Sequence, residues 1–539
     1  MTSDAIQLKR SSSSSPLVYA ATVFVSAFLL FQVQPLLSKF ILPWFGGTPA
    51  VWTSAMLFFQ IVLFLGYLYA HVTSTYLSAR HRLYLHWLVL AAALGSVALN
   101  RLIPPVSLRP TGGNNESPLL QVLILLGATV GFPYFALSST GPLLQKWYSE
   151  TFSKSPYRLF ALSNLGSLLA LLSYPFIFEA NWGIVSQAMM WSVGFGVFVV
   201  CCAYCAWQTY THSGHKTPMI SSVSDASLAS DRTDLSNPQV DGILDPPPSL
   251  AQVFWWLALP TQACLLFLAV TNEVCQNIAT VPLLWIFPLA LYLLSFIVAF
   301  DQPKWYSRRI YAIVTLGLIL LVSNYTGFLE HLSNICNRVL GLSGPSRWML
   351  SNLWSLEAGV YFLTLFCMLV VCHGELAKSK PAPKYLTRFY LTLSLGGALG
   401  GVLVNLIAPN VFKRFHELPL GLFCCALLCV GLLIWSRKGR WNASQVGILA
   451  LGGLLLMASC WYLVLDARPD QPTSDHAVLH RSRNFYGILS VQRYSGTSMG
   501  EIHVLLNGHI QHGIQQTDPS KRRTPTSYYG TGSGCQAAI

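Results

Sequence analysis

Charge is what this chain of 539 residues has least of: Asp, Glu, Lys and Arg make up 10% of it, against 53% hydrophobic residues. Its mean hydropathy is +0.50. A soluble globular chain carries roughly 25% charged residues. A larger core cannot absorb such a deficit, because a water-exposed surface still needs charge; lipid therefore contacts much of the surface. Carboxylates are the scarcest, 20 against 33 basic residues, for a net charge of +13. That excess does not speak for nucleic acid. The basic residues fall mainly in short loops between apolar runs, where they orient helices in a bilayer. No C-x-x-C pair with a matching second pair occurs, so no zinc site is expected, and no other metal or cofactor. Cys201, Cys202, Cys205, Cys424, Cys425 and Cys429 lie in apolar runs, as small buried hydrophobes do. Only Cys275 and Cys336 fall in loops expected on one outer side, which leaves a disulfide between them open.

What is present in abundance is long apolar runs. Lys9, Arg10 and the serines from Ser11 to Ser15 start the chain like a signal peptide, but the run from Leu17 to Ile41 is too long for one. It reads as a retained first helix behind a cytoplasmic tail, 1–16. At about 20 apolar residues per span, the chain is an all-α polytopic membrane protein of about 13 transmembrane helices. Six lie near 17–41, 50–70, 83–102, 118–138, 158–178 and 182–206. Seven follow near 252–272, 280–300, 309–328, 352–372, 388–408, 418–436 and 446–465. Basic residues mark alternate connections: Arg80 and Arg82; Lys146, Lys154 and Arg158; Lys304, Arg308 and Arg309; Lys378, Lys380, Lys384 and Arg388; Arg437, Lys438 and Arg440. The other loops are poorer, with Arg101, Arg109, Arg338, Arg347, Lys413 and Arg414 as exceptions. The rich side is cytoplasmic by the positive-inside rule.

Residues 207–250 differ in kind, being rich in Ser, Asp and Pro up to Pro246-Pro247-Pro248. Such a segment buries too little apolar area to offset its ordering entropy, so a disordered cytoplasmic linker is expected. It separates two related halves, 17–206 and 251–465, the second with one extra helix. In one register Lys154, Arg158 and Phe160 pair with Lys384, Arg388 and Tyr390, while Leu165, Gly166 and Leu169 pair with Leu395, Gly396 and Leu399. Trp52 and its helix loosely match Trp285 and its helix. Two six-helix parallel repeats follow, an arrangement found in major-facilitator-type transporters. Gly396, Gly397, Gly400 and Gly401 form overlapping small-x-x-x-small patterns, which let backbones approach closely where lipid gives no hydrophobic drive between helices.

Ionisable and amide groups inside apolar helices are costly, and they mark candidate solute or ion paths. Glu357 is the clearest; Gln32, Gln34, Lys39, Asn164 and Asn405 are weaker, and Glu273 sits near a helix end. The plainer account has the amides bonding across helices and Lys39 snorkelling to the interface. A path lined by Gln32, Gln34, Asn164 and Glu357 is the functional one.

After Asp466 the period changes. Phe485 to Tyr494 alternates as a strand, a second strand begins at Ile502, and Asn507-Gly508 is a hairpin signal. The segment 466–539 is expected to be a small β-meander, marginal alone at its size. His503, His509 and His512 read as strand-surface histidines.

Several stretches resemble bacterial spermidine synthase-like membrane proteins. They are F-L-L-F-Q-V-Q-P-L-L-S-K-F-I-L-P-W-F-G-G-T-P-A-V-W from Phe28, A-L-S-N-L-G-S-L-L-A-L-L-S-Y-P from Ala161 and V-P-L-L-W-I-F-P-L-A-L-Y-L-L-S-F from Val281. C-H-G-E-L from Cys372, S-R-N-F-Y-G-I-L-S-V and L-N-G-H-I-Q-H-G are similar too. The resemblance implies a transporter-like bundle fused to an aminopropyltransferase-like module, in a bacterial plasma membrane. It puts Gln511 on the glutamine of that family's L-x-G-x-x-Q strand, close to the polyamine and nucleoside site. The pattern departs afterwards. Gly530, Gly532 and Gly534 have no apolar strand before them and five residues after, and no D-E pair follows Gln511; Asp518 is the nearest carboxylate. The module is expected to be the front end of an incomplete catalytic domain, with no catalytic residue assignable. The leading expectation is a bundle that binds or moves a small polar or cationic, polyamine-like solute. The alternatives are an aminopropyltransferase completed by a second chain and a membrane scaffold for a partner at the β-meander.

Overall fold

The computed structural model describes residues 16–110, 117–152, 157–213, 247–278, 283–301, 303–324, 354–382, 385–435, 447, 452–453, 475–508, 510–526 and 530. The first half contains α1 (Pro16–Phe45), α2 (Pro49–Tyr76), α3 (Ala79–Asn100), α4 (Pro118–Phe152), α5 (Tyr157–Ser173) and α6 (Ile184–Ser213). The second contains α7 (Leu250–Glu273), α8 (Ile286–Asp301), α9 (Arg308–Ser323), α10 (Trp354–Lys378), α11 (Leu386–Val402) and α12 (Glu417–Trp435). Among the described residues ten helices are long and apolar enough to cross a membrane, and α8 is a shorter apolar one. These helices fall on the expected spans up to residue 436. Most of the expected helix at 446–465, most of the linker and Cys336 lie outside the described residues.

Local chemistry sets several helix starts. α1, α2 and α4 each open on a proline, whose missing N–H costs nothing in the first turn. α7 opens on a capping box, with the Ser249 hydroxyl accepting from Gln252 N–H and the Gln252 side chain accepting from Ser249 N–H. The helix α4 is longer than its expected span, 35 residues. It projects past the apolar core, so Lys146 and Glu150 are helical rather than in a loop. The lipid-facing surface is visibly apolar, with Leu99 86% and Phe176 77% exposed. Cys424 is on that surface too, unlike Cys202, Cys205, Cys425 and Cys429, which are buried.

The same packing recurs in both halves. α1 packs on α4, α5 and α6 as α7 packs on α10, α11 and α12, and α3 on α4 and α6 as α9 on α10 and α12. The halves join through α2 on α11 and α5 on α8. Matched glycines make matched contacts. A Cβ at Gly166 would stand 2.9 Å from the Phe24 carbonyl oxygen on α1, and one at Gly396 would stand 2.6 Å from the Leu257 carbonyl oxygen on α7. Both α5 and α11 run on through a π-helical turn, Tyr174–Phe178 and Leu403–Ile407, at corresponding places. Residues paired by the repeat also touch each other. Trp52 stacks on Trp285 with ring centroids 5.0 Å apart, and Phe160 on Tyr390 at 5.6 Å. Two equivalent points can meet only near the axis that relates them, so these stacks mark a two-fold axis through the bundle.

The ends of the bundle differ. At the end where α1 begins lie Arg82, Lys146, Arg308 and Lys378, and there Arg308 donates from Nε and Nη2, along one guanidinium edge, to the two carboxylate oxygens of Glu375 at 2.7 and 2.5 Å. The far end carries a four-stranded antiparallel sheet in the order β1-β2-β3-β4, with β1 His476–Asn484, β2 Gly487–Thr497, β3 Gly500–Asn507 and β4 Ile510–Gln516. The first strand, H-A-V-L-H-R-S-R-N, lacks the apolar alternation that would announce it. Phe485 and Tyr486, expected in a strand, make the β1–β2 turn instead, and Asn507 ends β3, paired with Ile510.

Candidate functional site

Between the two axial stacks lies a cavity of about 200 Å³. Its walls come from both halves: α1, α2, α4 and α5 on one side, α7, α8 and α11 on the other. The lining carries amides at Gln34, Gln60, Gln145 and Asn164, and phenols at Tyr67, Tyr134, Tyr292 and Tyr390. No Asp, Glu, Lys or Arg is among the lining residues. At the basic end it is lined by Phe160, Phe296 and Tyr390. At the far end Gly401 lies directly against Gln60 and Leu57 of α2.

The polar lining is not fully satisfied. The Gln34 amide N–H donates to the Tyr134 oxygen at 3.0 Å, and the Gln60 amide donates to the Cys264 sulfur at 3.0 Å. The Tyr390 hydroxyl crosses between halves to donate to Gln145 Oε1 at 3.1 Å. Gln34 Oε1, Gln60 Oε1 and Asn164 Nδ2 are buried with no protein partner. Each such atom costs about 1–3 kcal/mol if left unpaired, and a bound solute or water would recover that. Two acceptors and a donor therefore sit unpaired on residues that line one chamber; an amide flip would exchange donor for acceptor without changing the count.

Of the residues singled out from sequence, Gln34 and Asn164 line this cavity together, and Gln32 does not. Residues two apart on a helix point about 200° apart, so Gln32, though buried, faces another side of α1. Glu357 lies in the first turn of α10, at the far end, and not among the residues that line the cavity. The helix begins about where the span was expected and runs on to Lys378. Lys39 is ion-paired with Glu179 at the end of the α5 segment. Gln511 is exposed on the edge strand β4, remote from the cavity. Asp518 is bound within its own turn by Ser520, whose N–H and hydroxyl hold the carboxylate below its ordinary range. Among the four glycines, Gly396 and Gly400 lie against α7 and Gly401 against α2, while Gly397 faces open space and lines the cavity. A Cβ at Gly400 would stand 2.8 Å from the Thr261 carbonyl oxygen. Gln60 and Gln145 were missed. Each is a lone amide in an apolar run, the signal that picked out Gln34.

The fold and cavity define a polytopic helical membrane protein with a small polar chamber on its internal axis. An auto-inhibited POT family peptide transporter is among the solved structures it is similar to, at 13% identity and a TM-score of 0.32, covering 87% of this chain and 100% of that one. No protein-family model matches the chain, and no curated protein does.

Proposed function

We propose that the bundle binds a small, uncharged, hydrogen-bonding solute in the axial cavity and carries it across the membrane. The observation that supports this is the trio of buried, unpartnered amide atoms, Gln34 Oε1, Gln60 Oε1 and Asn164 Nδ2, in a chamber shared by both halves. A site at the interface of repeats is where rocking of one half against the other exposes it to alternate sides. A polyamine fits less well, because its charges would enter a lining without a carboxylate. The test uses Asn164→Cys in membrane vesicles with a membrane-impermeant thiol reagent, read peptide by peptide. Modification from both sides, slowed by excess uridine as a neutral probe and not by spermidine, is the expected result. Access from one side only would sink transport, and protection by spermidine alone would sink the uncharged solute.

The resemblance to spermidine synthase-like membrane proteins enters as a second reading of the tail. An antiparallel sheet containing Gln511 stands where that family's module is expected to begin. Against activity in this chain stand the exposure of Gln511 and the commitment of Asp518 to Ser520. Aminopropyl transfer to putrescine by the purified chain would restore the enzyme reading.

A further inference from the structure

The sheet has no part in the axial cavity, yet it covers the far end of the same helices. A second cavity, about 270 Å³, lies there. Its helical walls bear Thr53 and Ser54 of α2, Asn272 and Gln276 at the end of α7, and Asn405 and Asn410 after α11. On α2 and α11 these positions follow within a few turns of Gln60 and Gly397, which line the axial cavity. The two chambers therefore share walls, and the contact of Gly401 with Leu57 and Gln60 stands between them.

Ser117 and Leu119 at the start of α4 and Phe415 line it too, and the sheet contributes the β1–β2 turn, Asn484 to Gly487. This turn is built to be stiff: Asn484 Oδ1 accepts from the N–H groups of Tyr486 and Gly487 at 2.9 and 3.2 Å. Gly487, at φ +146°, closes directly on the Gln276 side chain, an approach that a Cβ would obstruct. One residue before the turn, Arg483 donates to both oxygens of Glu417 at 2.7 and 3.1 Å and to the Arg414 carbonyl at 2.7 Å. Its guanidinium also lies 4.6 Å over the Phe415 ring. Both partners of the pair are buried, at 5% and 4% exposure. Sheet and bundle are thus joined by a concentrated ionic contact beside the turn.

We propose that the sheet is the lid of the solute path at the far end, latched by Arg483 and Glu417, over an outer binding station for the same uncharged solutes. The class follows from the polar part of the lining, which is amide and hydroxyl apart from Arg483, whose charge Glu417 already neutralises; the rest of the lining is apolar. This rests on the axial cavity being a solute site, but its test needs no transport. In the full chain in membrane vesicles, the modification rate of Asn272→Cys by a membrane-impermeant maleimide is followed by peptide mass spectrometry, so native cysteines do not interfere. Glu417→Arg leaves two buried like charges facing each other and should raise the rate about tenfold or more. Adding Arg483→Glu restores the pair and should return the rate to its starting value. If Glu417→Arg fails to reach the membrane, Arg483→Met serves with the same expected rise. A rate already fast without a latch change, or equal in all variants, overturns the lid. Two-sided access at Asn164→Cys with no latch effect would remove the lid and leave the solute reading; the converse pattern would do the reverse.

Discussion

The two six-helix halves share a skeleton and differ at one end. In each, a glycine of the fifth helix is pressed on a backbone carbonyl of the first, Gly166 on Phe24 and Gly396 on Leu257. In each, an arginine opening the third helix reaches a glutamate near the end of the fourth, Arg82 to Glu150 and Arg308 to Glu375. At the far end the halves also diverge. There α5 finishes with Glu179 paired to Lys39, whereas α11 finishes under the β1–β2 turn and α12 supplies Glu417 to the sheet. Packing positions were kept in common; the residues that meet the sheet were not. Close backbone contact is what holds helices in lipid, so a repeat that loses its small residues loses the bundle, while polar residues at helix ends are free to specialise.

The largest effect should come from the shared glycines. Gly396→Leu should cost about 3 kcal/mol or more by overpacking against α7, with Gly166→Leu close behind, both read as thermal unfolding in detergent. Gly397→Leu, one residue along, should leave stability within about 0.5 kcal/mol while it fills the cavity and protects Asn164→Cys. If Gly397→Leu proves as damaging as Gly396→Leu, the division of the glycines into packing and lining positions is wrong.

Next come the paired ions, which separate the halves. Glu375 is 8% exposed, accepts from both Nε and Nη2 of Arg308 and accepts from the Tyr306 hydroxyl at 2.8 Å. Glu375→Ala should cost about 3 kcal/mol by stranding a partly buried guanidinium. Glu150 is 30% exposed and meets Arg82 at 3.2 Å, so Glu150→Ala should cost less than about 1 kcal/mol. Equal losses would show that the two pairs do one job. The smallest effect belongs to Tyr390→Phe, which keeps the stack on Phe160 and removes the hydroxyl from Gln145, at about 1 kcal/mol. A loss well beyond that would make this hydrogen bond, rather than the rings, the joint between halves.

Much of the bundle was legible because its physics is one-dimensional. A span is a length of apolar chain, and the matches Gly166 with Gly396 and Phe160 with Tyr390 are visible as spacing. The site was legible only in part. Gln34 and Asn164 are polar residues in apolar runs, yet so is Gln32, and only helix phase sends Gln34 inward. Glu357 reads as an ionisable group within an apolar span, and the structure sets it in the first turn of α10. The strand β1 was invisible because a strand of H-A-V-L-H-R-S-R-N is stabilised by its ladder with β2 and its dock on Glu417, not by its own alternation.

By itself, then, the sequence determined that lipid is the solvent, where the chain crosses it and that two halves repeat, since each follows from composition or periodicity along the chain. Only the tertiary structure decided that four glycines in one run take three different surroundings. It alone brought Gln34, Gln60 and Asn164 to one axis, and it set the small sheet over the far end. Those depend on which face of each helix meets which neighbour. That is a property of the packed bundle, and no single segment contains it.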